Sequence, residues 1–376
     1  MTRKKPSPWG KIVLAVSIAL LLAACGVMLP GCGSRKKTAD RAGAQPARKV
    51  TVCPLCGREV TGPAVIERRA VAVKVDNEPA ARPPSGLDKA CVTYEEMTEG
   101  GITRYMAIFL CRNVETVGPV RSARSVDIEL VYPYYALLAH CGAGGLVLQQ
   151  IKQSGIPDID EIAWTGAYWR TSQRGAPHNL YTSTARIRQA GEGAYPFQRQ
   201  VTPPFKFLSA DGLKAMLLER DEEARKAALA KASNPQVPYQ PSVTLVNNIL
   251  IPYNRQCAVT WQYDPATTSF SRNVASRPMT DPAGVPVKAE TVIVQYVTEG
   301  PSTVRDVNGE VCPDLGVVGS GRAQVFTAGR LIDANWEKSS RTESTRFLDN
   351  AGRSVRIKPG NVWIELVAAT KQTAVQ

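Results

Sequence analysis

Residues 70–77, AVAVKVDN, form an apolar run closed by Asp76-Asn77, a pattern that predicts a buried strand delivering polar side chains at its carboxyl end. ARPPSG (81–86) then turns the chain. Residues 90–113 hold two apolar stretches separated by Glu99-Gly100-Gly101, which fits two adjacent strands or a short helix and a strand. SVDIELVYPYYALLAHCGAGG (125–145) predicts a helix broken near Pro133, then a strand ending at His140 and a glycine-rich loop. This alternation favours a mixed α/β domain.

The clearest helix is expected over 209–233. Ser209 can cap it, Leu213, Met216 and Leu217 share a face, and Glu222 and Lys226 pair at i,i+4. The proline cluster of 234–241 ends it. Beyond residue 240 the patterning turns β-rich: VTWQYDPATTSFSR (259–272) reads as a hairpin, ETVIVQYV (290–297) as a central strand and NVWIELVAA (361–369) as a late strand. The expected fold is an α/β (mixed sheet with helices) N-terminal domain over 59–240 plus a smaller β-rich C-terminal domain over 241–376.

The N-terminus has a different texture. A basic segment, MTRKKPSPWGK, precedes the apolar IVLAVSIALLLAAC (12–25), and LAAC reads as a bacterial lipobox. Residues 1–24 are then a signal peptide, and Cys25 carries the acyl chains that hold the mature protein on the outer face of the membrane. Cys32 is the rival lipidation position, and an uncleaved anchor over 12–31 is the alternative to cleavage. Residues 25–58, including the basic, small-residue stretch of 33–50, form a tether.

At 376 residues and 44% hydrophobic, the chain can bury a substantial core. Removing the charges of Arg3, Lys4, Lys5 and Lys11 leaves +9 of the formal +13. Export separates this charge from the chromosome, so nucleic acid is excluded as a partner, and the expected partners are the membrane, an anionic wall polymer or an envelope protein.

Beyond Cys25 and Cys32 lie Cys53, Cys56, Cys91, Cys111, Cys141, Cys257 and Cys312, an odd set that argues against a complete disulfide framework. VCPLCGREV (52–60) has the form of a zinc knuckle, but Cys53 and Cys56 supply half the ligands that zinc needs, and no second C-x-x-C or C-x-x-H follows. No metal and no cofactor are expected. A turn with free thiols or a short disulfide are the alternatives.

The chemistry-bearing residues sit where strands end and loops begin. GPVRSARS (118–125) places Arg121 and Arg124 three apart beside Ser122 and Ser125; if helical, both guanidinium groups face one side and can grip phosphate or carboxylate. The structural alternative is an arginine clamping Glu95, Glu96 or Glu99. His140 precedes a glycine loop. His178 lies in RTSQRGAPHNLYTS (170–183), where Asn179 could fix the imidazole. Each histidine alone is more readily a satisfied buried side chain than an acid or base.

VAVKVDNEPAARPPSGLDKACVTYEEMTEGGITRYMAIF, VGPVRSARS, LLAHCGAGG, APHNLYTS and GRSVRIKPGNVWIELV together resemble the signature stretches of the YerB-like bacterial lipoproteins, from about residue 52 to the C-terminus. That resemblance implies an exported, lipid-anchored protein of two domains and no particular reaction. By position it puts Asp76, Asn77, Arg82, Glu95, Glu99, Arg104, Arg121, Ser122, Arg124, His140, His178 and Asn179 in family motifs. The family commonly reads Pro-Leu-Thr-Gly where this chain has PLCG (54–57), so Cys56 looks like a replacement at a turn.

Three functions follow from these residues. The first is a binding protein holding an anionic glycan, peptide or small ligand in a pocket lined by Arg, His and acids: Asp76, Asn77, Arg82, Glu95, Arg104, Arg121, Ser122, Arg124, His178 and Asn179. The second is a wall hydrolase or transferase with Glu99 or His140 as base and His178 as acid. The third is a structural or assembly lipoprotein in which the same residues only bolt the fold together.

Overall fold

Strand residues in the centre of the molecule alternate between two hydrophobic cores, and that alternation organises the architecture. The computed structural model describes residues 50–196, 202–233 and 242–376, apart from Arg255, Pro301 and Val307. The signal segment, Cys25, Cys32, most of the tether and the proline cluster lie outside these residues.

The N-terminal half contains β1 (Val71–Asp76), β2 (Val92–Met97), β3 (Thr103–Phe109), α1 (Ser125–Val131), β4 (Leu137–His140), α2 (Gly145–Ser154), β5 (Asp158–Asp160), the hairpin β6 (Tyr168–Arg170) and β7 (Leu180–Thr182), and α3 (Thr184–Glu192). There follow α4 (Ala210–Ser233), β8 (Asn248–Ile251), β9 (Val259–Asp264), β10 (Ser269–Val274), β11 (Thr291–Gly300), β12 (Gly319–Thr327), β13 (Arg330–Lys338), β14 (Arg346–Asp349) and β15 (Val362–Ala368).

The main sheet runs β14-β13-β12-β11-β15-β2-β3-β1-β4-β5. β15 is parallel to both β11 and β2, with Val362 beside Val92 and Glu365 beside Glu95. The late strand NVWIELVAA thus joins the two halves of the chain in one sheet, and the described residues form one compact unit. β8, β9 and β10 belong to a second, antiparallel sheet.

Ala72, Met106, Ile108, Ile293 and Ile364 face one core, which α1 and α2 close with Val126, Ile128, Val147 and Ile151. Val73, Val75, Tyr105, Ala107, Val294 and Trp363 face the other, covered by the second sheet through Ile249, Val259, Trp261 and Phe270. Burial on both faces is why β1 and β11 read as continuous apolar runs. Lys74 is one exception: it is fully buried and paired with Glu96 and Asp127, the latter at 2.8 Å.

The expected strands and helices are present, and Ser209 accepts the Gly212 amide at 3.1 Å while Lys226 meets Glu222 at 3.1 Å. One local expectation is corrected: GPVRSARS is not helical before Ser125. Its backbone is committed on both sides, with Asp76 N donating to Pro119 O, Arg121 N to Lys74 O, and Val120 N to Leu180 O. Among the described residues no helix is long and apolar enough to cross a membrane.

Candidate functional site

The extended segment 117–121 is wedged between β1 and β7, so its hydrogen bonds fix where two functional side chains emerge. Arg121 leaves it beside the end of β1, and His178 lies two residues before β7. Both reach Asp76. His178 Nδ1 is 2.9 Å from Asp76 Oδ2, and Arg121 Nε is 3.1 Å from the same oxygen. Glu78 completes the cluster, its Oε2 lying 3.5 Å from His178 Nε2 and 3.9 Å from Arg121 Nη2. Side-chain exposure grades outward from 0% at Asp76 through 15% at His178 and 20% at Arg121 to 39% at Glu78.

The loop bearing His178 is tied down by its own arginines. Arg174 donates to the carbonyls of Ala81 and Pro83, the latter at 2.8 Å, locking the loop onto the turn after β1. Asn179 does not hold the imidazole as expected: its Oδ1 accepts from Arg170 at 3.0 Å and its Nδ2 donates to Thr171 O. It shapes the loop from within.

Arg121 and Arg124, expected on one face, diverge because the chain between them is extended and side chains alternate. Arg124 turns inward and shares Glu99 with Arg104, whose Nη2 donates at 2.9 Å. Burial alone would raise the Glu99 carboxyl, but the Arg124 hydrogen bond and the charges of both arginines outweigh it and hold it at about 2. Burial brings Arg104 down to about 10. Ser122 Oγ donates to Cys141 O, while its carbonyl accepts from Arg104 and Arg124. This group is sealed in the core and bolts the chain together, so Glu99 is not placed to act as a base.

Asn77, Glu95 and Arg82 form a third group. Asn77 Nδ2 donates to Thr103 Oγ1 at 2.6 Å, Thr103 donates to Glu95 at 2.6 Å, and Glu95 pairs with Arg272 of the second sheet. Arg82 grips Asn77 and reaches Gln256 O at 3.3 Å. These contacts stitch the sheets together.

His140 is fully buried between Gly142 O at 2.9 Å from Nδ1 and Asp158 Oδ1 at 2.8 Å from Nε2. Both ring nitrogens face acceptors, which only a doubly protonated imidazole satisfies. Burial works against that charge, but Asp158 overrides it and the pKa is raised. His140 is a clamp between β4 and β5, its two ring nitrogens engaged by Gly142 and Asp158 rather than by the Asp76 cluster.

Of the expected constellation, Asp76, Arg121 and His178 therefore come together at the surface, whereas His140, Arg124, Glu99, Arg104 and Glu95 lie in separate buried pairs. Glu78 was missed by sequence reasoning; its spacing of two from Asp76 was the signal that the same turn would return a second carboxylate. Asp76, Glu78 and His178 are close enough together to hold a cation, but Arg121 already occupies Asp76. A cavity of about 420 Å³ lined by Arg69, Tyr132, Tyr135 and Ile156 contains none of the candidate residues.

Comparison with known proteins agrees with this architecture. The pattern described as "Protein of unknown function (DUF3048) N-terminal domain" matches residues 55–196, and that of the C-terminal domain matches 249–364. The chain is 29% identical over 352 residues to YerB of Bacillus subtilis, a homologue named as a lipoprotein, covering 90% of this chain and 91% of the relative. The crystal structure of the Bacillus subtilis YerB protein is similar at a TM-score of 0.70 and 26% identity, covering 87% of this chain and 99% of that one.

Proposed function

Because the chain belongs to the DUF3048, YerB-like family of proteins of unknown function, we propose that it is a lipid-anchored cell-envelope protein that recognises an anionic group of a wall polymer or envelope ligand through Arg121 and His178. The lipobox and the homologue's name support the anchor, at Cys25 or alternatively at Cys32, and with it a position on the outer face of the membrane.

The observation that carries the binding reading is the loose placement of Glu78. Its carboxylate lies 3.5 Å from His178 Nε2 and 3.9 Å from Arg121 Nη2, beyond the length of a good charge-assisted hydrogen bond. Asp76 is buried behind both donors, hydrogen-bonded to His178 Nδ1 and ion-paired with Arg121. An incoming carboxylate or phosphate displaces the half-exposed Glu78 and takes both donors at shorter range. Ligand recognition at loops held by a rigid sheet is a common arrangement.

The test is retention of the full-length protein, in detergent, on purified teichoic acid and on peptidoglycan. Retention that is lost in Arg121→Ala and His178→Ala but kept in Glu78→Gln supports the reading; retention indifferent to Arg121 and His178 overturns it. A second reading, wall hydrolysis, is favoured by the Asp76–His178 pair, which engages Nδ1 and leaves Nε2, on the Glu78 side, as the nitrogen that could exchange a proton with substrate. Release of soluble fragments that ceases in His178→Ala would establish it in place of binding.

A further inference from the structure

Cys53 and Cys56 close a tight turn in which Cys53 N donates to Arg58 O and Gly57 N to Cys53 O, both at 2.8 Å. Gly57 has φ +67°, and a Cβ there would lie 2.5 Å from the Phe207 ring, so this position requires glycine. The turn does not stand alone. Cys91 immediately precedes β2 and Cys111 follows β3; because β2 and β3 are antiparallel neighbours, the start of one and the end of the other meet at one end of the sheet. The knuckle packs against that end.

The four sulfurs are drawn together. Cys53 Sγ lies 4.0 Å from Cys91 Sγ, Cys56 Sγ 3.6 Å from Cys111 Sγ, and Cys91 Sγ 3.6 Å from Cys111 Sγ, with all four within 4.8 Å of one another. Thiolates bound at about 2.3 Å around one zinc ion stand roughly 3.8 Å apart along the edges of the tetrahedron. A disulfide would need about 2 Å, and all four cysteines are free. A tetrathiolate zinc centre carries two net negative charges, and the guanidinium groups of Arg68, Arg112 and Arg188 are near enough to act on these sulfurs.

We propose that Cys53, Cys56, Cys91 and Cys111 form a tetrahedral site for a structural zinc ion that pins the N-terminal knuckle to the β2–β3 hairpin. Binding releases the thiol protons to solvent, and all four positions of the ion are filled by protein, which suits a structural rather than a catalytic centre. Strand register places this site at the opposite end of the sheet from Asp76, a strand length or roughly 20 Å away. It is independent of ligand recognition by Arg121 and His178. Cys56, which looked like an isolated replacement at a turn, is the fourth ligand.

The experiment is elemental analysis of the full-length protein, purified in detergent with reductant and without chelator, followed by replacement of the metal with cobalt. About one zinc per chain is expected, and the cobalt form should show the thiolate charge-transfer band and intense visible bands of a tetrahedral sulfur site. Both signals should vanish in Cys111→Ser and in Cys56→Thr, which installs the residue common in the family and so keeps a turn that folds; His178→Ala should keep both. A protein that takes up no zinc or cobalt in the reduced state, or one whose four thiols are joined as disulfides when isolated without reductant and stay metal-free after reduction, overturns the proposal. So does zinc retained in full by Cys56→Thr, or iron found in its place.

Discussion

Glu365 of β15 stands in parallel register beside Glu95 of β2, and both side chains are fully buried. One comes from each half of the chain, so the seam of the sheet carries two adjacent carboxyl groups. Arg272 pairs with Glu95, whereas Glu365 accepts from Trp261 Nε1 at 2.7 Å and from the Tyr253 hydroxyl at 3.0 Å. Burial first, and the charge of Glu95 second, push the Glu365 carboxyl well above the usual carboxylate range. Glu365 is the member of the pair that keeps its proton.

It follows that Glu365→Gln should change stability by less than about 1 kcal/mol below pH 4.5, where an amide replaces an acid that is neutral in both the folded and the unfolded chain, and should be the more stable of the two near neutrality. Arg272→Met, which strands the charge of Glu95, should cost about 3–5 kcal/mol. A folded pKa above the ordinary 4.5 means that the contribution of Glu365 is complete below 4.5 and is lost as pH rises through the folded value. Urea unfolding across that range should show a shallower loss with rising pH in Glu365→Gln than in the parent.

Glu99 has the opposite sign. Held at about 2 by Arg124 and Arg104, it contributes stability that is present above 4.5 and disappears as pH falls toward 2. Glu99→Gln leaves two buried guanidinium groups without their carboxylate and should cost about 3–5 kcal/mol at neutral pH. Its melting temperature should fall less steeply than the parent's on acidification below 4.5, as thermal scans would record.

His140 gives a third pH signature. Its raised pKa means that its contribution is full below the ordinary 6.5 and is lost as pH rises through the folded value. Asp158→Asn should cost about 1–3 kcal/mol in mildly acid solution and less in alkali, where the parent has already lost the charge. A proton NMR titration of the His140 ring should show the pKa fall in the variant.

His178 should behave differently from the buried pairs. Its ring is partly exposed, and Arg121 remains to neutralise Asp76 after substitution. His178→Gln should cost less than about 1 kcal/mol of stability yet weaken polymer retention by about tenfold or more. Equal losses in both assays would make His178 structural.

The elements were legible where local rules suffice. Strand β1 announced itself by an apolar run ending at Asp76, α1 by its break at Pro133, and α4 by Ser209 and the Glu222–Lys226 spacing. The sorting of the arginines was not legible: Arg121 and Arg124 are three apart in a segment that could be helical, and only the bonds to Lys74, Pro119 and Leu180 hold that segment extended and send the two side chains opposite ways. The half-site of Cys53 and Cys56 was visible, but its complement was not, because Cys91 and Cys111 share no motif and meet only through antiparallel pairing.

The periodicity of the elements, the apolar content of the two cores, the glycine and proline turns and the residue types available for chemistry are all written locally in the chain, since each depends on neighbours a few positions apart. Which charges are paired and sealed and which reach water emerges only on folding, because partners such as Glu95 and Arg272, or Asp76 and His178, are set by strand order and register across long stretches of chain. Burial then makes the distinction energetic: an ion pair in the core is worth keeping only when every member is matched, whereas one at the rim can exchange a partner for a ligand.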